Sequence, residues 1–216
     1  MPDPLSPRKQ PVQRRSAVTV AALHTATIQV LTREGLNRCT TTRVAGRAGM
    51  SVGSLYQYYP NRDALLAAVL EQHLGGVATA VEEATLRARG KEIAVMARAL
   101  VAAFVGAKLH DPQASKALYS VASERNGAQV AARMHQRMNV AVSQMLVSAK
   151  DARFATPAIT AAIAIGAMAG PVRALLEGQT SPETDQALVA QLSLLLQAYF
   201  QSAGHGEPPG TPGRSG

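Results

Sequence analysis

A single cysteine, Cys39, stands in 216 residues, so no intrachain disulfide can form, and the usage fits a reducing cytoplasm. A lone cysteine between helices is read as incidental. Aromatic residues make up only 4% of the chain while alanine is abundant, which favours packed helices over sheets. The opening stretch MPDPLSPRKQPVQRR has no apolar core, and so is not a secretory signal. The most apolar run, Ala155 to Val172, is built from alanine, glycine and some isoleucine. It is marginal in length for a bilayer, so a packed helix of a soluble, cytoplasmic protein is expected and no membrane partner. There is no phosphate-cradling glycine loop, no cysteine pair for zinc and no nucleophile elbow. His24, His73, His110, His135 and His205 are too far apart in sequence for two to sit one helical turn apart. No cofactor, no metal and no catalytic constellation are therefore expected, and the chain is read as a non-enzyme.

Charge is present but uneven. Residues 1–62 hold nine Lys/Arg against two Asp/Glu, a net +7, whereas residues 63–216 hold thirteen against twelve, a net +1. A merely basic solubility surface would not be so one-sided. Neutralisation of a polyanion's phosphates by the N-terminal quarter would be.

Within that basic part lies TTRVAGRAGMSVGSLYQYYPNRDAL, from Thr41 to Leu65. Its pattern predicts two short helices and a tight turn. Thr41 or Thr42 is expected to cap the first helix through its hydroxyl. Val44, Ala45 and Ala48 give it a narrow apolar stripe, and Gly49 ends it in a left-handed conformation that a side chain would resist. Met50 is expected to plug the turn and Ser51 to cap a second helix from Val52 to about Tyr58. Leu55 should face the small Ala45, letting the helices cross closely as in a helix-turn-helix. The outer face of the second helix carries Val52, Gly53, Ser54 and Gln57, flanked by Tyr56 and Tyr58, without an acidic group. A slender neutral face with one amide suits the major groove, where glutamine pairs bidentately with an adenine edge. An ordinary helical hairpin uses similar Ala and Gly spacings, so the spacing alone leaves both readings open.

The longer string AGMSVGSLYQYYPNRDALL resembles the DNA-binding domain of the TetR family of bacterial transcriptional regulators. Ala48, Gly49, Ser51, Gly53, Leu55, Tyr56, Tyr58 and Leu65 match that family's pattern, with Met50, Tyr59 and Arg62 replacing valine, phenylalanine and lysine within type. The resemblance covers about residues 14 to 75. It implies base reading by Gln57 and Ser54 with Arg43 beside them, phosphate contacts from Thr42, Tyr56, Tyr58 and Arg62, and further approach by Thr41, Ser51, Val52 and Gly53. Arg14 and Arg15, at the start of the first helix, and Arg8 and Lys9, in the tail before it, are further candidates for the DNA backbone.

The remaining punctuation predicts an all-α chain of about nine helices. Residues 1–13 form a disordered basic tail, 14–75 a three-helix helix-turn-helix DNA-binding domain, 76–203 a helical ligand-binding and dimerisation domain, and 204–216 a Gly/Pro-rich disordered tail. The first helix should end at Gly35, and Asn61 should cap the helix after Pro60, with Arg62 and Asp63 in its first turn. A cation there is disfavoured by the macrodipole unless a phosphate lies alongside. Gly75-Gly76 is a candidate hinge. Asp111-Pro112, Thr156-Pro157 and Ser181-Pro182 are three cap-proline helix starts, and Gly178 is a stop.

Ile159, Ile163, Gly166 and Gly170 fall on one stripe of the penultimate helix, and Leu188, Leu192, Leu195 and Tyr199 on one of the last. With Leu194 and Leu196 this is more apolar surface than one contact needs, so a homodimer interface is expected. TetR relatives form a four-helix bundle from these two helices. Two short reading helices also require two half-sites about one DNA turn apart, hence a palindromic double-stranded operator. Effector binding in the helical domain is implied by the resemblance, with Met96, Phe104, Tyr119, Met134, Met138 and Met168 as candidate lining of a pocket for a small apolar or amphipathic molecule. His110 and His135 are candidate polar anchors. The expected function is thus a homodimeric repressor released by its ligand. The alternative is a helical interaction or ligand-binding module that has lost DNA function, which the basic asymmetry disfavours.

Overall fold

The computed structural model describes residues 14–204, apart from the side chains of Arg14, Arg15, Arg125, Pro182, Asp185 and Gln186. The two expected tails, with Arg8 and Lys9, and the side-chain roles expected of Arg14 and Arg15 lie outside the described residues. Those residues form nine α-helices and no strand: α1 (Arg14–Glu34), α2 (Thr41–Arg47), α3 (Val52–Tyr56), α4 (Arg62–Ala88), α5 (Ile93–His110), α6 (Pro112–Ala122), α7 (Arg125–Val147), α8 (Pro157–Glu177) and α9 (Pro182–Gly204). A short 3-10 turn, Leu36–Arg38, joins α1 to α2.

The helix ends follow local chemistry. Gly35, Gly49 and Gly178 all take positive φ, the left-handed region that ends a helix without Cβ strain. Asn61 Oδ1 accepts from Ala64 N at 2.8 Å and Asp111 Oδ1 from Ala114 N at 2.9 Å, each satisfying an orphan first-turn donor. Ser181 Oγ accepts from Thr184 N at 3.3 Å to open α9. Thr156 departs from this pattern. α8 does start at Pro157, but the Thr156 side chain makes no capping bond, and only its carbonyl receives Ile159 N and Thr160 N. The helix then runs through Pro171 to Gly178.

The chain divides into two units: Met1–Gly76 with Asp111–Met134, and Val77–His110 with His135–Gly216. α6 and the first part of α7 thus group with the N-terminal helices, whereas the sequence reading placed them in a domain of residues 76–203. In the first unit Leu23, Val30, Val44, Leu55, Leu65 and Leu70 share a buried core with Leu118 and Val130. Burying each such side chain is worth about 1.5–3 kcal/mol. In the second unit α5 packs chiefly on α9, and both touch α8. Met96, Leu100 and Phe104 of α5 are buried, as are Leu188, Leu192, Leu196 and Phe200 of α9. Phe200 meets Phe154 edge-on, with ring centroids 6.2 Å apart.

α4 is unbroken through Gly75-Gly76. α4, α5 and α8 are long and apolar enough to cross a membrane by length and composition. In this fold a large share of each is instead buried against the chain's other helices.

Candidate DNA-reading head

The α2–α3 turn is assembled from backbone bonds and two caps. Thr40, in an extended conformation, caps α2 by accepting from Arg43 N at 3.3 Å. This corrects the expectation of Thr41 or Thr42: three consecutive threonines offer the same hydroxyl, and the helix begins one residue earlier than the periodicity suggests. Thr41 Oγ1 lies instead 3.3 Å from the Tyr56 hydroxyl, and Thr42 is exposed. Gly49, at φ +69°, reverses the chain, and Met50 N returns to the Ala45 carbonyl at 3.0 Å. Met50 is only half-buried against the core, so it is a lid on the turn, not a buried plug. Ser51 Oγ then accepts from Ser54 N at 3.1 Å and opens α3.

α3 is held by one anchor. Leu55 is fully buried beside Val44 and Ala45 in the same core. Regular helix ends at Tyr56, earlier than the expected Tyr58, although Tyr58 N and Tyr59 N still bond to the Leu55 carbonyl. Opposite Leu55, Ser51, Gly53, Tyr56 and Gln57 are exposed, while Val52, Ser54 and Tyr58 are half-buried, and Val52 and Tyr58 pack on the core. The Ser54 hydroxyl lies 2.9 Å from that of Ser51, which leaves it engaged with the cap. Gly53 has open space: an added Cβ would meet only Ser51 Oγ, at 3.8 Å.

Tyr59, just after α3, is fastened by a polar set that sequence reasoning missed. His24 of α1 bonds through Nδ1 to Gln72 Oε1 of α4 and through Nε2 to the Tyr59 hydroxyl at 2.7 Å. Burial holds the His24 imidazole below its ordinary pKa and pushes the Tyr59 phenol up to about 12. Neutral His24 therefore serves as one donor and one acceptor. Cys39 is also buried, and burial, opposed by the charge of Arg62, pushes its thiol up to about 11. It is a protonated core side chain at neutral pH.

Two arginines nominated for DNA have carboxylate partners in the free protein. Arg43 pairs with Glu34 at the end of α1, and Arg62 Nε donates to Asp63 Oδ1 at 3.0 Å. Nearby, Arg47 Nε donates to Gln29 Oε1 at 2.6 Å. A cleft of about 260 Å³ between α1 and α2 is lined by Arg33, Glu34, Arg43 and Arg47 together with Gln29 and Val30.

Residues 23–69 match the family described as bacterial regulatory proteins, tetR family, and residues 92–200 match the tetracyclin repressor-like C-terminal domain. The chain belongs to the TetR family. It is accordingly a helix-turn-helix DNA-binding transcriptional regulator. Over 83 residues it is 35% identical to the HTH-type transcriptional regulator BetI 1 of Chromohalobacter salexigens, a match covering 38% of this chain and 37% of that relative. A TetR family transcription regulator from Marinobacter aquaeolei superposes with a TM-score of 0.68 at 17% identity, over 86% of this chain and 97% of that one. The fatty acid degradation regulator FadR from Bacillus halodurans superposes with a TM-score of 0.65 at 14% identity, over 82% and 97%. At such identities these two structures show a shared fold.

The other nominated residues of this TetR chain are placed as follows. Ile159, Ile163, Gly166 and Gly170 are exposed along α8. The α9 stripe divides: Leu195 is exposed and Tyr199 half-buried, whereas Leu188 and Leu192 are buried within the chain itself. α9 is apolar on more than one side, and these two leucines lie on a side that the chain itself covers. Met96, Phe104, Met138 and Met168 are buried in the second unit, while buried Met134 and half-buried Tyr119 belong to the first. His110 and His135 are both exposed, at solvent-facing helical positions, which is not where anchors of an enclosed pocket would lie. A cleft of about 410 Å³ in the second unit has a different lining, including Arg87, Lys91, Val95 and Ala99. Among the described residues no three His, Cys, Asp or Glu side chains gather as a metal site would require.

Proposed function

We propose that this TetR-family regulator is a cytoplasmic homodimeric repressor that binds a palindromic duplex operator through α3. A small apolar or amphipathic effector releases it. The observation that carries DNA reading is the outer face of α3. Gly53 costs a helix about 1 kcal/mol relative to alanine. Nothing within 4 Å except the Ser51 hydroxyl would resist a Cβ there, so packing in the chain does not account for the glycine. Close approach of an outside surface does, and the adjacent Gln57 amide and Tyr56 hydroxyl suit a base edge and a phosphate.

Pairing of two copies is supported by apolar surface left on α8 and α9. Ile159, Ile163, Leu194 and Leu195 are each at least half exposed. Gly166 and Gly170, also exposed, let another helix come close. In this reading residues 14–75 bind DNA, and residues 76–203 pair the copies and hold the effector among side chains such as Met96, Phe104, Met138 and Met168. Such an effector acts only by preferring the conformation that does not fit the operator.

The test is binding of the purified chain to fluorescent duplexes across a salt series, with molar mass by light scattering. The proposal expects twice the chain mass and an affinity that falls steeply with salt. A monomer, or affinity indifferent to salt, would refute it.

A further inference from the structure

Between residues 14 and 63 the chain has seven arginines and only two carboxylates, Glu34 and Asp63. Each carboxylate is placed on an arginine that the α3 reading assigns to DNA: Glu34 on Arg43, and Asp63 on Arg62. The arginine side chains are 49% and 38% exposed, so both guanidinium groups reach solvent while paired. Glu34 is the last residue of α1, where the helix dipole disfavours a negative charge. Its Oε2 is shielded from solvent, and the Arg43 guanidinium is the group that compensates it. Asp63, by contrast, sits in the first turn of α4, where a carboxylate is favoured.

We propose that Glu34 and Asp63 are internal counter-ions that hold Arg43 and Arg62 in the DNA-free head, and that DNA takes each arginine from its carboxylate on binding. The proposal rests on the reading of α3 as the DNA-contacting helix. DNA supplies the same anionic partner as the carboxylate, with the geometric match of a phosphate or a guanine edge to a guanidinium. Part of the arginine–DNA attraction is spent on breaking the pair, and the released carboxylate then faces a like-charged duplex. The carboxylates thus lower affinity for every sequence and keep the head off non-cognate DNA.

The experiment is a pair of double-mutant cycles on the full chain: Glu34→Gln with Arg43→Ala, and Asp63→Asn with Arg62→Ala. Binding is measured against operator and random duplexes at several salt concentrations, with a thermal melt for each variant. Each carboxylate substitution alone is expected to tighten both duplexes roughly 2- to 5-fold, the scale of a half-exposed ion pair. In the background lacking its arginine the gain should be clearly smaller, leaving only the relief of repulsion between carboxylate and duplex. An equal gain without the arginine would mean that the carboxylate acts only through the general field, and would overturn the proposal. Weaker binding with an unchanged melt would overturn it too, since the carboxylate would then be orienting its arginine toward DNA. A wild-type chain that binds no duplex would bring down the α3 reading and this proposal with it. Should Glu34→Gln unfold the head, the Asp63 cycle, on a different helix, decides alone.

Discussion

His24 Nε2 and the Tyr59 hydroxyl lie 2.7 Å apart in the core of the helix-turn-helix unit, and the other ring nitrogen of His24 is bonded to Gln72. α1, α4 and the segment just after α3 therefore meet on one neutral imidazole. Burial keeps its pKa below 6.5. As pH falls the unfolded chain takes up this proton first, so stability is present above about pH 6.5 and lost as pH falls toward the lower folded pKa. Urea unfolding followed by circular dichroism from pH 7.5 to 5 should show that loss. His24→Gln should weaken it while costing about 1–3 kcal/mol at pH 7.5, because Tyr59 or Gln72 loses a buried partner. An acid limb unchanged by the substitution would assign the loss to other groups.

Gly53→Ala separates folding from function. The new methyl has room and improves helix propensity, so the melt should rise, by about 1 kcal/mol. Operator affinity should fall at least tenfold, because the methyl stands between α3 and the DNA. Retained affinity would show that this face does not approach DNA closely.

Arg62→Ala should weaken operator and random duplexes alike and reduce the salt slope by about one. Anisotropy titrations across a salt series read both. An unchanged slope would take Arg62 out of the phosphate contacts.

Lys108, buried on α5, has its ammonium pushed down to about 8 from an ordinary 10.5. Between those values the unfolded chain holds a proton that the folded chain has lost, so stability rises with pH. The expected gain from pH 8 to 9.5 is about 1–2 kcal/mol, and Lys108→Met should flatten it. Urea midpoints at four pH values in that window are sufficient. An equal rise in the variant would point to another group.

What was legible in the sequence was local. Gly35, Gly49 and Gly178 end helices because backbone sterics alone require it, and Ser51, Asn61 and Asp111 cap because their partners lie three residues ahead. The helix-turn-helix stretch was readable for the same reason. Contacts across the fold were not. Gln72 is 48 residues from His24 and Tyr59 is 35, and neither carries a spacing signal. No spacing signal pairs Glu34 with Arg43 until α1 and α2 bring them together. On α9 the leucines cover more than one side, so periodicity alone does not assign Leu188 and Leu192 inward and Leu194 and Leu195 outward.

Selection from random duplex DNA, run in parallel with the wild-type chain and Gln57→Ala at physiological salt, tests the central claim most directly. The wild type should enrich a palindrome with half-sites about one helical turn apart, and Gln57→Ala the same palindrome relaxed at one base position per half-site. An identical consensus from both would remove Gln57 as a reader, and no enrichment from folded wild-type protein would contradict the account of α3.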